Sequence, residues 1–294
     1  MIKTLFVSVV FSLIFSSCSE VAQRQPLVIS IDPWIGSAPF YYAHAKGWLA
    51  EANIQLILAP SISENLRIFE SGASDMFTST QHEFFRERKT HPDLIPIIHY
   101  DCSFGGDVIM ANRSNQQFQD SNEMIDLYLE ADTVNEDMAK YWINDNNISK
   151  ERLRVHARPQ DEIVKMVSDI NSSPMVVVTY NPHNLLLKKH GFTEIASTKN
   201  NRYLVIDVVS ISSKLYHKNI QTLAKLNDAY KRAIQVYETN PREFYEKVKP
   251  YFANPSYDEF VVMKQNIQWL KGAPSAELSK KMEMIRFPTK DLIL

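Results

Sequence analysis

The sequence predicts an α/β protein of two lobes, each a mostly parallel sheet flanked by helices, and three observations carry that prediction. Strand-like apolar runs, loops and helix-like segments alternate three times between residues 27 and 111. A second alternating set follows a polar stretch at 112–122, and the chain then returns through 203–210 to a long amphipathic segment. At 294 residues, 45% hydrophobic and 22% charged, it is long enough to bury two cores. Such alternation covers a parallel sheet with helices, because each parallel connection must cross back over the sheet.

The stretch that organises the rest is 27–50, LVISIDPWIGSAPFYYAHAKGWLA. Leu27–Ile31 reads as an apolar strand, Pro33 and Gly36 as a turn, and a short helix follows, opened by Pro39 and stopped by Gly47. Proline costs little in a first turn, where amides have no intrahelical partner, and glycine ends helices because it tolerates a positive φ. Trp34 therefore lies beyond the carboxyl end of a strand, beside a helix amino terminus. Ligands of open α/β sheets bind in that crevice, which makes Trp34, Phe40 and Tyr41 candidate contacts.

Strand-like Ile54–Leu58 leads through Pro60-Ser61-Ile62-Ser63 into a helix at 64–71 closed by Gly72. Met76-Phe77 starts a third strand, Thr78-Ser79-Thr80 is its loop and 81–89 the next helix. A fourth strand, 95–100, runs into Asp101-Cys102-Ser103-Phe104-Gly105-Gly106 and then 108–111. Trp34, Ser61, Ser63, Ser79, Thr80, Ser103 and Gly106 thus fall on one edge. Serine and threonine also cap helices whatever a protein does, and Gly105-Gly106 also fits a plain turn, so both readings stand for these residues.

The polar stretch 112–122 is placed as the first crossover, giving lobes of 27–111 plus 208–294 and of 112–207. The second lobe reads as a strand at 124–129, a loop at 130–134, a helix at 135–146, a strand at Leu153–Ala157, a helix at 161–168 and a strand at 175–178. Thr133 either faces the cleft or caps a helix. Arg158, at a strand end, is the one basic candidate, with a surface salt bridge as its alternative. The last strand ends in Thr179-Tyr180-Asn181-Pro182, and a helix from His183 is stopped by Gly191. Back in the first lobe, 214–238 is a long helix with Leu223, Leu226, Tyr230, Ile234 and Tyr237 on its core face. Further helices are expected at 241–251 and 257–270. Two lobes on two connections make a hinge, and closure is the expected motion.

Residues 1–18, MIKTLFVSVVFSLIFSSC, join Lys3 to an apolar run at 5–15 broken by Ser8 and Ser12. That run is too short for a membrane anchor and fits a signal-peptide core. Phe15-Ser16-Ser17-Cys18 looks like a lipobox, although the pattern prefers leucine where Phe15 stands; an ordinary signal peptide cut nearby is the alternative. The expectation is an exported lipoprotein in the periplasm, anchored to the membrane through lipid on Cys18, with 19–26 as a tether and Cys102 a lone thiol outside any disulfide. A net charge of -2, from 32 basic and 34 acidic residues, offers nucleic acid phosphate no broad attraction.

The stretch from Trp34 to Trp48, followed by Ala52, Ile54 and Leu56, resembles the start of the periplasmic substrate-binding proteins of the nitrate, sulfonate, taurine and thiamine-precursor type. That family has a tryptophan or proline in its first loop, then Pro-Phe-Tyr, a Lys-Gly pair, an aromatic, and a glycine where this chain has Asn53. The resemblance continues in Ser71-Gly72-Ala73-Ser74-Asp75 with Thr78-Ser79-Thr80, in Gly105-Gly106-Asp107, in Thr179-Tyr180-Asn181-Pro182 and in Thr239-Asn240-Pro241. In the family an aromatic-Glu-Pro motif turns its aromatic to the cleft. Tyr180 matches, and Asn181 replaces the acid with a group that both donates and accepts. The resemblance implies the two-lobed type II periplasmic-binding-protein fold and a monomer that hands a small solute to an ABC permease and its ATPase. A tethered sensor signalling to a membrane receptor is an alternative output, and an enzyme similar to the thiamine-pyrimidine synthase a further one.

No Gly-x-Ser-x-Gly, phosphate-cradling glycine loop, His-Glu-x-x-His or zinc-spaced cysteine set occurs in the sequence. A non-enzyme without cofactor or metal is expected, with Asp32, Asp101 and Asp107 as the acids nearest the cleft. The first-lobe loops carry hydroxyls, aromatics and acids but neither lysine nor arginine. Trp34, Phe40, Tyr41, Phe104 and Tyr180 suit a flat or cationic organic molecule, so the expected ligand is small and nitrogenous or aromatic rather than nitrate.

Overall fold

The computed structural model describes residues 25–167, 173–200 and 203–289. The signal peptide, Cys18 and most of the expected tether lie outside the described residues.

The first sheet begins with β1 (Leu27–Ile31), β2 (Ile54–Leu58), β3 (Met76–Thr80) and β4 (Leu94–Ser103). Between them run α1 (Ala38–Ala45), α2 (Trp48–Glu51), α3 (Ile62–Glu70) and α4 (Gln81–Glu87). β1 pairs in parallel with β2 on one side and β3 on the other, with Ile29 opposite both Leu56 and Met76. Its apolar, β-branched composition suits a central strand covered on both faces.

The second sheet comprises β5 (Asp107–Ala111), β6 (Ile125–Leu129), β7 (Leu153–Ala157), β8 (Met175–Tyr180) and β9 (Thr193–Ser197), in the order β7-β6-β8-β5-β9. Its helices are α5 (Asn115–Gln119), α6 (Val134–Asp145), α7 (Gln160–Val167) and α8 (His183–Lys189). β6 is parallel to β7 and β8, and only β5 runs against its neighbours.

The chain then re-enters the first sheet as β10 (Ile206–Ser212), continues through α9 (Ser213–Thr239), α10 (Pro241–Val248) and α11 (Tyr257–Gln265), adds β11 (Ile267–Trp269) and ends in α12 (Ala276–Met284). The strand order is β11-β4-β10-β3-β1-β2. The apolar stripe of α9 packs back on α1 as its periodicity predicts: Phe40 sits between Tyr100 and Tyr230, with ring centroids 5.4 and 4.8 Å away.

Four local expectations are corrected. The strand at 107–111 belongs to the second sheet, pairing with Tyr180 through Val176. The first crossover is therefore the short Phe104-Gly105-Gly106 link, not the polar stretch at 112–122, which folds as α5 behind a Ser114/Gln117 capping box. Polarity marks exposure there, not a lobe boundary. Thr78-Ser79-Thr80 completes β3 instead of leaving it, because β10 supplies an antiparallel partner from more than a hundred residues away. Within 257–270, Ile267–Trp269 leave the helix to pair with Cys102 and its neighbours on the edge of β4.

The two crossovers are tied together. Thr198 Oγ1 lies 2.8 Å from Ser103 Oγ and accepts from the Gly105 amide at 2.7 Å, and the Asp107 amide donates to Ser103 Oγ at 3.1 Å. Gly105 has φ +105°, a conformation other residues rarely adopt. Ser103 therefore braces the hinge.

Candidate functional site

At the carboxyl ends of β1, β3 and β4 the first sheet meets the end of β8 in the second. Asp32, Trp34, Ile62, Thr80, Asp107, Val134, Tyr180 and Asp207 enclose a cavity of about 10 Å³, close to the ~10–15 Å³ needed for a single water. The lobes are shut on one another.

Trp34 is buried, and its indole Nε1 donates to Asp101 Oδ2 at 2.9 Å while its ring meets Tyr180 edge-on at 6.2 Å. Two glycines make room for it. A Cβ on Gly106 would lie 2.3 Å from the indole Cη2, and one on Gly36 would lie 1.6 Å from Asp101 Oδ2 and 2.3 Å from Trp34 Nε1. Gly36→Ala is thus expected to drive this hydrogen-bonded pair apart and cost about 1–3 kcal/mol in urea denaturation; an unchanged midpoint would contradict the packing described.

Each lobe also places a carboxylate on a helix amino terminus of the other, where unpaired amides and the helix dipole favour negative charge. Glu130, just after β6, accepts from Ser63 Oγ at 2.7 Å and the Ser63 amide at 3.3 Å in the first turn of α3, and from the Tyr180 hydroxyl at 3.0 Å. The Tyr180 oxygen in turn accepts from the Ile62 amide at 3.2 Å. In the opposite direction, Glu83 closes a capping box with Thr80 at the start of α4 and accepts from the Val134 amide of α6 at 2.7 Å. His82 and Asp137 add a 2.6 Å contact between α4 and α6.

Beneath these caps lie four buried aspartates. Burial pushes the Asp32 and Asp107 carboxyls up to about 7, against the opposing hydrogen bonds from Thr78 and Ser103. Asp101 and Asp207 face each other across β4 and β10. Burial raises both; the hydrogen bond between them and the Trp34 indole hold Asp101 down, while the Asp101 and Asp107 charges push Asp207 further up. Asp107 Oδ2, Ser79 Oγ and both ends of the Asn181 amide are buried without a hydrogen-bond partner.

Of the candidate contacts, Trp34, Thr80 and Tyr180 line the cavity, with Ser63, Gly106 and Asn181 adjoining it and Ser79 beside them on β3. Other predicted contacts are placed elsewhere. Phe40 is core. Tyr41 stacks on Tyr251 at 4.6 Å and donates to the Asp32 carbonyl at 2.5 Å, so it braces the cleft from behind. Ser61 and Thr133 are N-caps, accepting from the Glu64 and Asn135 amides. Arg158 is exposed and donates to the Ala157 carbonyl, and Phe104 is 52% exposed. Sequence reasoning missed Glu83, Glu130 and Asp207. The Thr80-x-x-Glu83 spacing is a readable capping box, and Asp207 inside the apolar run Ile206–Ser212 is a readable buried acid; nothing local marks Glu130.

Taken together, the two sheets, the double crossover and the cleft define the two-lobed α/β fold of periplasmic substrate-binding proteins. Solved structures with this fold include the ligand-binding component of an ABC-type import system from Staphylococcus aureus with zinc bound, at 14% identity and TM-score 0.67 over 90% of this chain and 94% of that one. The alkanesulfonate-binding protein SsuA from Xanthomonas axonopodis pv. citri bound to MOPS gives 10% identity and TM-score 0.68 over 92% and 97%. The nitrate-binding protein NrtA from Synechocystis PCC 6803 gives 12% identity and TM-score 0.61 over 80% and 68%. A family model described as Major royal jelly protein matches residues 162–287. That span starts inside α7 of the second lobe and ends after α12 of the first, following no structural unit of this fold. No curated protein sequence matches the chain.

Proposed function

We propose that this chain is an extracytoplasmic solute-binding lipoprotein that captures a small organic solute between its lobes and delivers it to an ABC permease. The observation that supports this reading most directly is a buried polar cleft at the strand ends, spanned by two crossovers that can act as a hinge. Side chains that bridge the lobes, Glu130 to α3 and Glu83 to α6, break and reform as such a hinge works. Lipid on Cys18 would hold the protein at the membrane beside its permease, and no catalytic step is assigned.

The test is a thermal-shift screen of residues 19–294 against pyrimidines, sulfonates, nitrate, polyamines and amino acids. A ligand at a hundred times its dissociation constant stabilises the fold by about 2.7 kcal/mol, and a true solute is recovered chemically unchanged. A folded protein that no member of the panel shifts, or one that converts its ligand, overturns the reading.

A further inference from the structure

We infer that the solute is an organic cation, carrying an ammonium or amidinium group that Asp107 and Asp32 hold beside Trp34 and Tyr180, with Asn181 adjoining them. This rests on the cleft being the solute site. The first ground is charge. Asp32, Asp107 and Asp207 line the cavity, Glu83 and Glu130 close its rim, and no lysine or arginine lines it. An oxyanion brought here would add to the burial and repulsion that keep protons on these carboxyls, whereas a cation favours their ionised form.

The second ground is that the helix-terminus amides suited to an anion are already engaged. The first-turn amides of α3 are taken by Glu130 and Tyr180, and the Val134 amide of α6 by Glu83. Among the cleft's unpaired side-chain atoms acceptors predominate, with Asn181 Nδ2 a donor beside them. Asp107 Oδ2, Asn181 Oδ1 and Ser79 Oγ are acceptors without a partner, on residues 4%, 0% and 1% exposed. Leaving buried acceptors unmet is costly, and an N–H-bearing cation supplies what they lack. The indole face of Trp34 and the phenol of Tyr180 add the aromatic walls that favour such a group. A bare metal ion fits less well, since among the described residues no cluster of three or more His, Cys, Asp or Glu is spaced to hold one.

The experiment is isothermal titration of the mature protein with putrescine, agmatine, choline and thiamine as cations, methanesulfonate and nitrate as anions, uracil as a neutral ring, and zinc as a metal. At least one cation is expected to bind, and Asp107→Asn to weaken it by about ten- to a hundredfold, the loss of a hydrogen bond to a charged group, while keeping the wild-type thermal midpoint or raising it. Asn181→Leu serves as a second variant should Asp107→Asn fold poorly, and is expected to weaken the same cation. Binding by an anion, the neutral ring or zinc with the cations silent overturns this inference and leaves the solute-binding reading standing. Cation binding that neither variant weakens also overturns it. Silence from every probe overturns both.

Discussion

Trp34→Ala is expected to destabilise the protein by about 3–5 kcal/mol, the range for removing a buried aromatic from a packed site. The side chain is 4% exposed, fills the space left by Gly106 and meets Tyr180 across the lobes. Its loss also strips Asp101 of the indole N–H, a hydrogen bond that favours the ionised form. The Asp101 carboxyl then holds its proton more tightly. Trp34→Phe restores much of the ring but not the donor, so its cost should fall between wild type and alanine. Urea denaturation measures both, and a loss below about 1 kcal/mol for alanine would mean that Trp34 is not packed as described. The same substitution should weaken solute binding; unchanged affinity would remove Trp34 from the site.

Stability is expected to fall as the pH rises from about 4 to 8. Asp32 and Asp107 keep protons up to about 7 in the folded cleft, against 3.8 as their ordinary value. The folded state therefore binds protons that the unfolded chain has released, and the stabilisation is complete at low pH and lost through neutrality. At about 1.4 kcal/mol per pKa unit, the two carboxyls together set an upper limit on the order of several kcal/mol. Opening of the lobes hydrates them before global unfolding and reduces what unfolding shows. Other groups in this environment act on the same balance. Glu83 and Glu130 raise the Asp32 carboxyl further by repulsion, the buried phenols of Tyr41, Tyr100 and Tyr180 stay neutral, and Lys264 interacts with Asp101 from α11. His82, raised by Asp137 despite burial, contributes with the same sign, because its bridge to α6 weakens as it loses its proton. Denaturation midpoints and radius of gyration at pH 5, 6, 7 and 8 test this. Wild type should lose stability and expand, Asp32→Asn should flatten the trend, and stability that rises with pH would refute the account of the cleft.

How much of this was legible is clearest at particular residues. The apolar run Leu27–Ile31, the Pro39 helix start and the 3.6-residue stripe of α9 are local patterns, and the structure keeps them. The assignment of 107–111 to the first lobe failed because two glycines look the same in a turn and in a lobe crossover. The expectation that Phe40 and Tyr41 reach the ligand failed because a helix carries side chains around all its faces, and α9, which covers that face, lies far along the chain. Caps and cleft residues share the same chemistry, so Ser61, Thr133 and Ser63 could not be told apart by type; Ser63 meets Glu130 across the lobes through both hydroxyl and amide, with the Ser61 hydroxyl 3.1 Å from that of Ser63.

By itself, the sequence determined the order of strands and helices and the loops that gather at one edge of each sheet, since both follow from short-range periodicity and turn chemistry. Only the tertiary structure decided that Glu83, Glu130 and Asp207 join the acids at the cleft and brace it from both sides. Glu83 reaches Val134 across 51 residues, Glu130 reaches Ser63 across 67, and Asp101 meets Asp207 through strand pairing. A carboxylate's partner, and with it the charge it carries, is set by what folding brings within hydrogen-bond distance, and no local pattern records that.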